Sequence, residues 1–178
     1  LRVGTDSLRR RGFIAQVSSA IQLLPIRGNI DTRLNKLENS QYDALILAEA
    51  SMTRLAFTDR YHCYLLDRDW FIPSSCQGVI GIETRRVDSR LNNSLQPLNC
   101  HKTMKCINIE RGVMKGLGAD CQMPVGVFAE LKGEKILCSV AVLNLVGEEV
   151  RVRKAFSIER VEDDIIGELI EDLKSAGI

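Results

Sequence analysis

Leu1-Arg2-Val3-Gly4-Thr5-Asp6-Ser7-Leu8-Arg9-Arg10-Arg11 is the stretch whose reading decides the fold. Residues 1–5 read as the end of a strand that turns at Gly4. Thr5, Asp6 and Ser7 are helix N-cap types, and a helix is predicted over 8–21. Phe13, Ile14, Val17, Ala20 and Ile21 recur at spacings that form one apolar face. Three arginines crowd the first turn of that helix, where the backbone already carries partial positive charge. Either an anion sits between the guanidiniums and the free N–H groups, or the arginines are simply solvated.

The arrangement repeats downstream. Residues 22–26 read as a short strand, Arg27-Gly28-Asn29 as a turn, and a helix is predicted from Asp31 or Thr32, with Arg33 in its first turn. Two units of strand, glycine turn and cationic helix start aim their arginines at one crevice beyond the strand ends, where open α/β sheets bind ligands. Residues 42–48 (Tyr42-Asp43-Ala44-Leu45-Ile46-Leu47-Ala48) form a nearly continuous apolar run that suits a buried parallel strand. A short helix over 49–55 carries Arg54, which by itself reads as a surface arginine. The N-terminal part is therefore α/β in class.

Residues 57–69 are irregular, and 73–78 read as a crossover between domains. A strand is predicted over 79–83 and a helix over 89–95, broken at Pro97. A long amphipathic helix over 101–117 has Met104, Ile107, Val113, Met114 and Leu117 on its apolar side; Gly112 and Gly116 weaken it or permit close packing, and Cys106 packs. Residues 125–131 and 135–145 form a hairpin around Lys132-Gly133-Glu134, 149–158 make a third strand, and 161–176 a closing helix ended by Gly177. This is a small α+β unit with a three-stranded antiparallel sheet, and Cys138 belongs to its core.

Between the long helix and the hairpin lies Leu117-Gly118-Ala119-Asp120-Cys121-Gln122-Met123-Pro124-Val125-Gly126. Cys121 stands among small residues on a turn, either as a reachable, potentially reactive thiol or as a small buried hydrophobe. The six cysteines contain no CxxC pair, and with His62 and His101 as the two histidines no metal site is expected. Scattered thiols fit a reducing, cytoplasmic setting. In a chain of 178 residues with net charge +1, the overall charge gives no case for nucleic acid, and no apolar run approaches the ~20 residues needed to span a membrane. Because the chain starts at Leu1 inside a motif, it reads as a piece of a longer protein.

Five motifs now line up. Gly4-Thr5-Asp6-Ser7-Leu8-Arg9-Arg10, Arg27-Gly28-Asn29-Ile30-Asp31-Thr32-Arg33-Leu34, residues 42–48, Pro73 to Gly78 with Ile82-Glu83, and Cys121-Gln122-Met123-Pro124-Val125-Gly126 together resemble the porphobilinogen deaminase (hydroxymethylbilane synthase) family. The resemblance implies a transferase of tetrapyrrole (haem) biosynthesis. It condenses four porphobilinogen molecules head to tail with loss of ammonia, on a dipyrromethane cofactor that Cys121 holds by a thioether. It also implies a type II periplasmic-binding-protein-like α/β domain over 1–72, a crossover and return segment over 73–98 belonging to a first domain outside this sequence, and a C-terminal α+β cofactor-attachment domain over 99–178. Thr5, Ser7, Arg9, Arg10, Arg27, Arg33, Arg54 and Gln77 become the residues that hold the cofactor and the growing chain of carboxylates. Arginine suits that task because its planar fork binds carboxylates bidentately and keeps its charge. Arg11 has no counterpart and is expected to be solvated.

The aspartate assigned to catalysis in the family falls outside these 178 residues, so no catalytic residue is identified here and the chain alone is expected to be inactive. The full-length protein is expected to be a monomer. Several positions depart from the family pattern: Asp6, Ser51, Ser75, Cys76 and Gly118-Ala119-Asp120. Asp6 is expected either to pair with Arg9 and Arg10 or to cap the helix. Cys76 is expected to be strained if its glycine counterpart needs a positive φ. Asp120 disfavours the Cys121 thiolate by like charge. An anion-binding module without catalysis, or a degenerate paralogue, is the alternative reading.

Overall fold

The computed structural model describes residues 1–120 and 123–178, so Cys121, expected to hold the cofactor, and Gln122 lie outside the described residues. The chain forms two sheets. The first is parallel, in the order β2-β1-β3, from β1 (Arg2–Gly4), β2 (Gln22–Leu24) and β3 (Ala44–Leu45). Val3 pairs with Leu23 on one side and Ala44 on the other. α1 (Leu8–Ala15), α2 (Ile30–Glu38) and α3 (Glu49–Arg54) follow the three strands in turn. Right after β1, the N–H of Thr5 donates to Leu24 O at 2.9 Å, and that of Ile46 to Gly4 O at 3.3 Å. All three strands therefore end level, and all three helices start from the same edge.

The helix predicted over 8–21 is shorter than expected. It stops at Ala15, and Val17 is exposed. Ser18 and Ser19 are weak helix formers, and Gln16 is tied sideways: its Nε2 donates to Glu149 at 2.6 Å and its Oε1 accepts from Trp70 at 3.3 Å. The run 42–48 is likewise not a fully buried strand. Two residues are assigned to β3, and 44–48 are half-buried, because β3 is an edge strand with a neighbour on one side. Residues 79–83 are not a strand. They carry no regular secondary structure and are exposed, Ile80 at 92%, and among the described residues no neighbouring strand completes their hydrogen bonds. α4 (Ser89–Leu95) forms as expected, with the Asp88 side chain accepting from Leu91 N.

The second unit matches its sequence closely. α5 (His101–Gly116) and α6 (Glu162–Ser175) pack on one face of an antiparallel sheet of β4 (Val125–Lys132), β5 (Lys135–Leu143) and β6 (Glu149–Ser157), order β4-β5-β6. Ile109 and Val113 interlock with Ile165, Leu169 and Leu173 over Val127, Val140 and Cys138, all buried. Gly112 and Gly116 permit the close helix approach: a Cβ on either would overlap the side-chain end of Ile166 or Ile170. Met104, expected on the apolar side, is exposed, and Cys106, Ile109, Glu110 and Val113 form the buried stripe instead.

A second core joins the two units. Phe13 and Ile14 of α1 pack with Phe71 and Ile72 against Ala141 and Leu143 of β5. Phe13 and Phe71 rings lie 5.0 Å apart. One backbone bond ties residue 73 to the antiparallel sheet, Val127 N donating to Pro73 O at 3.0 Å.

Candidate functional site

Arg9, Arg10, Arg27 and Arg33 start from the carboxyl edge of the parallel sheet because each follows a strand that ends there, whereas Arg54 lies at the other end of α3. Ser7 caps α1, its Oγ accepting from Arg10 N, and Ser7 N in turn donates to Thr5 Oγ1 at 3.3 Å. Thr5 is itself buried. Thr5 and Ser7 thus fix the turn that launches the arginine pair.

From that turn the guanidiniums take separate paths. Arg9 points inward and is 4% exposed. It donates from Nη1 to Ile72 O at 2.6 Å and from Nη2 to Gln77 Oε1 at 3.5 Å, and lies over the Phe71 ring at 5.6 Å. Burial, and then the charge of Arg10, pull its pKa down to about 10. Arg10 donates to Ile46 O at 2.5 Å, and its pKa is lowered by burial and by Arg33. Arg33 Nε donates to Gly28 O at 2.8 Å. Arg54 ends α3, exposed. Among the described residues, Arg9, Arg10, Arg33 and Arg54 have no carboxylate within ion-pair distance. For the lowered pKa values of Arg9 and Arg10 burial is the larger cause, and the neighbouring arginine's like charge adds to it.

Arg27 is different. Its Nε donates to Asp6 Oδ2 at 3.0 Å. Asp6 therefore neither pairs with Arg9 or Arg10 nor caps the helix: Ser7 takes the cap, and Asp6 turns across to the next strand-end loop. Arg11, expected to be solvated, is half-buried and donates to Leu23 O at 3.3 Å.

Gln77 sits one residue after the crossover's strained position. Cys76 has φ +61°, a left-handed conformation rare for a residue with a Cβ. Gln77 Oε1 also accepts from Ser74 Oγ at 3.1 Å. A cleft of about 540 Å³ opens beside this turn, lined by Gln77, Val79, Lys102, Glu110, Phe128 and Leu131 among others. It shares Gln77 with the arginine cluster.

Sequence reasoning missed two residues, Glu110 and Arg151. Glu110 is 5% exposed on the packed face of α5. It accepts from Cys76 N at 2.6 Å and Ala129 N at 2.9 Å. The available signal was its position in the stripe Cys106, Ile109, Glu110, Val113: a carboxylate on an apolar helix face must meet buried donors. Arg151 donates to Asp69 O at 2.7 Å and Trp70 O at 2.9 Å, tying β6 to the segment before the crossover.

Residues 1–93 match the family model for porphobilinogen deaminase, dipyromethane cofactor binding domain, and residues 104–168 match the model for its C-terminal domain. A porphobilinogen deaminase of Limosilactobacillus reuteri (strain DSM 20016) is 38% identical over 150 residues, covering 84% of this chain and 49% of that protein. One of Exiguobacterium sp. is 39% identical over 153 residues, covering 85% and 50%. One of Helicobacter acinonychis is 37% identical over 177 residues, covering 99% and 57%. The chain spans about half the length of the curated relatives it matches. With both family domains matched in order along the same chain, it belongs to the porphobilinogen deaminase family.

Proposed function

We propose that these residues form the carboxylate-binding and cofactor-carrying portion of a cytoplasmic hydroxymethylbilane synthase, which joins four porphobilinogen molecules head to tail with loss of ammonia. Residues 1–72 act as a type II periplasmic-binding-protein-like domain, 73–98 as the crossover and return segment to a further domain, and 99–178 as the cofactor-attachment domain. The reading rests above all on one observation: Arg9, Arg10 and Arg33 follow strands that end at one sheet edge, and among the described residues no carboxylate pairs with them. A dipyrromethane with acetate and propionate side chains fits such a donor set, since its carboxylates supply the missing charge.

In this reading Cys121 holds the cofactor by a thioether, and the dipyrromethane, when bound, supplies the primer that porphobilinogen extends. Arg10, Arg33 and Arg54 bind carboxylates directly. Arg9, with two bonds already made inside, fixes the crossover and adds its charge from behind. Thr5 and Ser7 hold the turn, and Gln77 offers an amide at the cleft. Arg27 exchanges Asp6 for a ligand carboxylate. A surface pair of this kind is worth about 0–1 kcal/mol, so the exchange costs little.

Intact mass of the protein carrying these residues tests the reading, with Cys121→Ser beside it. The expected result is an excess mass equal to dipyrromethane, absent from the variant. An unmodified mass in the protein as purified, with no gain on incubation with porphobilinogen, would refute it.

A further inference from the structure

The crossover turn is under strain, and a buried charge holds it. At Ser74–Gly78 the chain reverses tightly: Gln77 N donates to Ser74 O at 3.1 Å, Val79 N to Cys76 O at 3.2 Å, and Cys76 takes φ +61° where glycine would be at ease. The side that could relax is closed off by Glu110. One of its oxygens takes the Cys76 N–H at 2.6 Å, and the other takes the N–H of Ala129 in β4 at 2.9 Å. The same carboxylate therefore bridges the turn to the rigid sheet of the C-terminal unit. On either side of Cys76, Ile72 O and Gln77 Oε1 are the two acceptors that hold Arg9.

We propose that Glu110 is a positioning residue for the arginine site: by clamping Cys76 in its left-handed conformation it fixes Ile72 O and Gln77, and through them Arg9. The proposal rests on the reading of that site as a carboxylate binder. Burial raises the Glu110 pKa, and its two N–H bonds oppose the rise. Two donors aimed at two separate oxygens serve the ionised carboxylate best, whereas an amide has a single acceptor oxygen.

The test uses Glu110→Gln, Cys76→Gly and the double variant. The first readout is hydrogen exchange at the Cys76 amide, and the second is binding of pyrrole-3,4-dicarboxylate. Glu110→Gln is expected to speed exchange at Cys76 at least tenfold while α6 amides keep their rates, and to weaken binding severalfold. Adding Cys76→Gly is expected to restore binding to within about twofold, because glycine holds φ +61° without a clamp. A merely structural Glu110 would not be rescued that way. Unchanged exchange at Cys76, or a binding loss that Cys76→Gly fails to repair, would overturn the proposal. If the unaltered protein does not bind the probe, the carboxylate reading of the arginines fails, and the clamp stands or falls on Cys76 exchange alone. Should Glu110→Gln not fold, Cys76→Gly decides: release of the strain is expected to raise Tm by a few degrees, and an unchanged or lower Tm would overturn the clamp.

Discussion

Gly126 is the point where β4 touches the backbone that holds Arg9, and a single methyl group there tests the arrangement. A Cβ built on Gly126 would lie 2.8 Å from Ile72 O, 3.0 Å from Ile72 Cβ and 3.1 Å from its Cγ2. The nearest atom is a carbonyl oxygen, which moves only with its peptide. That peptide is pinned, because Ile72 is fully buried, Pro73 O is bonded to Val127 N, and Ile72 O accepts from Arg9 at 2.6 Å. Overpacking of this kind costs ~1–3 kcal/mol. Alanine recovers about 0.5–1 kcal/mol over glycine within a strand. At the midpoints of these ranges Gly126→Ala should therefore destabilise the fold by about 1 kcal/mol, or roughly 2–4 °C in Tm for a chain of this size. Gly167→Ala is the matched reference: a Cβ there on α6 meets nothing within 4 Å, and helix propensity alone should add about 1 kcal/mol. Thermal unfolding followed by circular dichroism would show the two substitutions moving Tm in opposite directions. A Gly126→Ala protein as stable as the parent, with Gly167→Ala stabilised as expected, would refute the close approach of β4 to Ile72.

Asp43 accepts from Arg2 N at 2.6 Å and Arg2 Nη2 at 2.7 Å, and these bonds hold its carboxyl at about 2 against an ordinary 3.8. A depressed carboxylate stabilises above its unfolded pKa and loses that contribution as pH falls through its folded one. Stability should thus decline between about pH 4 and about pH 2, and Asp43→Asn should flatten that part of the curve; carboxyl NMR showing Asp43 titrating above 3.8 would contradict this. Alkylation of the native protein should mark Cys100 early, since it is exposed and the Thr103 hydroxyl lowers its thiol pKa. Cys138 should stay unlabelled, buried and raised to about 12 by desolvation, until the protein unfolds; equal rates for the two would show that the β5 core opens in the native state.

The C-terminal unit was almost wholly legible because its order is local. The β4–β5 hairpin turns at Gly133, φ +60°, and α5 and α6 each carry an apolar stripe that a sheet must cover. The parallel sheet was legible in kind but not in extent. An apolar run such as 42–48 states that side chains avoid water; it does not state whether a neighbour exists on both sides, and at β3 it exists on one. Residues 79–83 carry the same ambiguity further, having strand composition and no partner strand among the described residues. Glu110, and the bond that Pro73 O accepts from β4, escaped notice for another reason. Their partners are backbone groups distant in sequence, and a backbone N–H leaves no mark on composition or periodicity.

The arginines show most clearly where sequence reading stops. Arg9, Arg10 and Arg11 are consecutive, so along a helix they point about 100° apart and cannot share one task. Their fates follow from that rotation: Arg9 goes inward over the Phe71 ring, Arg10 across to the loop after β3, and Arg11 back to β2. The residue type only suggests an anion site, and the helical phase decides where each guanidinium goes. By the same logic Asp6, one residue before the cap, lies outside the helix's rotation altogether and reaches the neighbouring loop, where Arg27 meets it. Its carboxylate thus bears on an exposed guanidinium, Arg27, and among the described residues no carboxylate pairs with Arg10, Arg33 or Arg54.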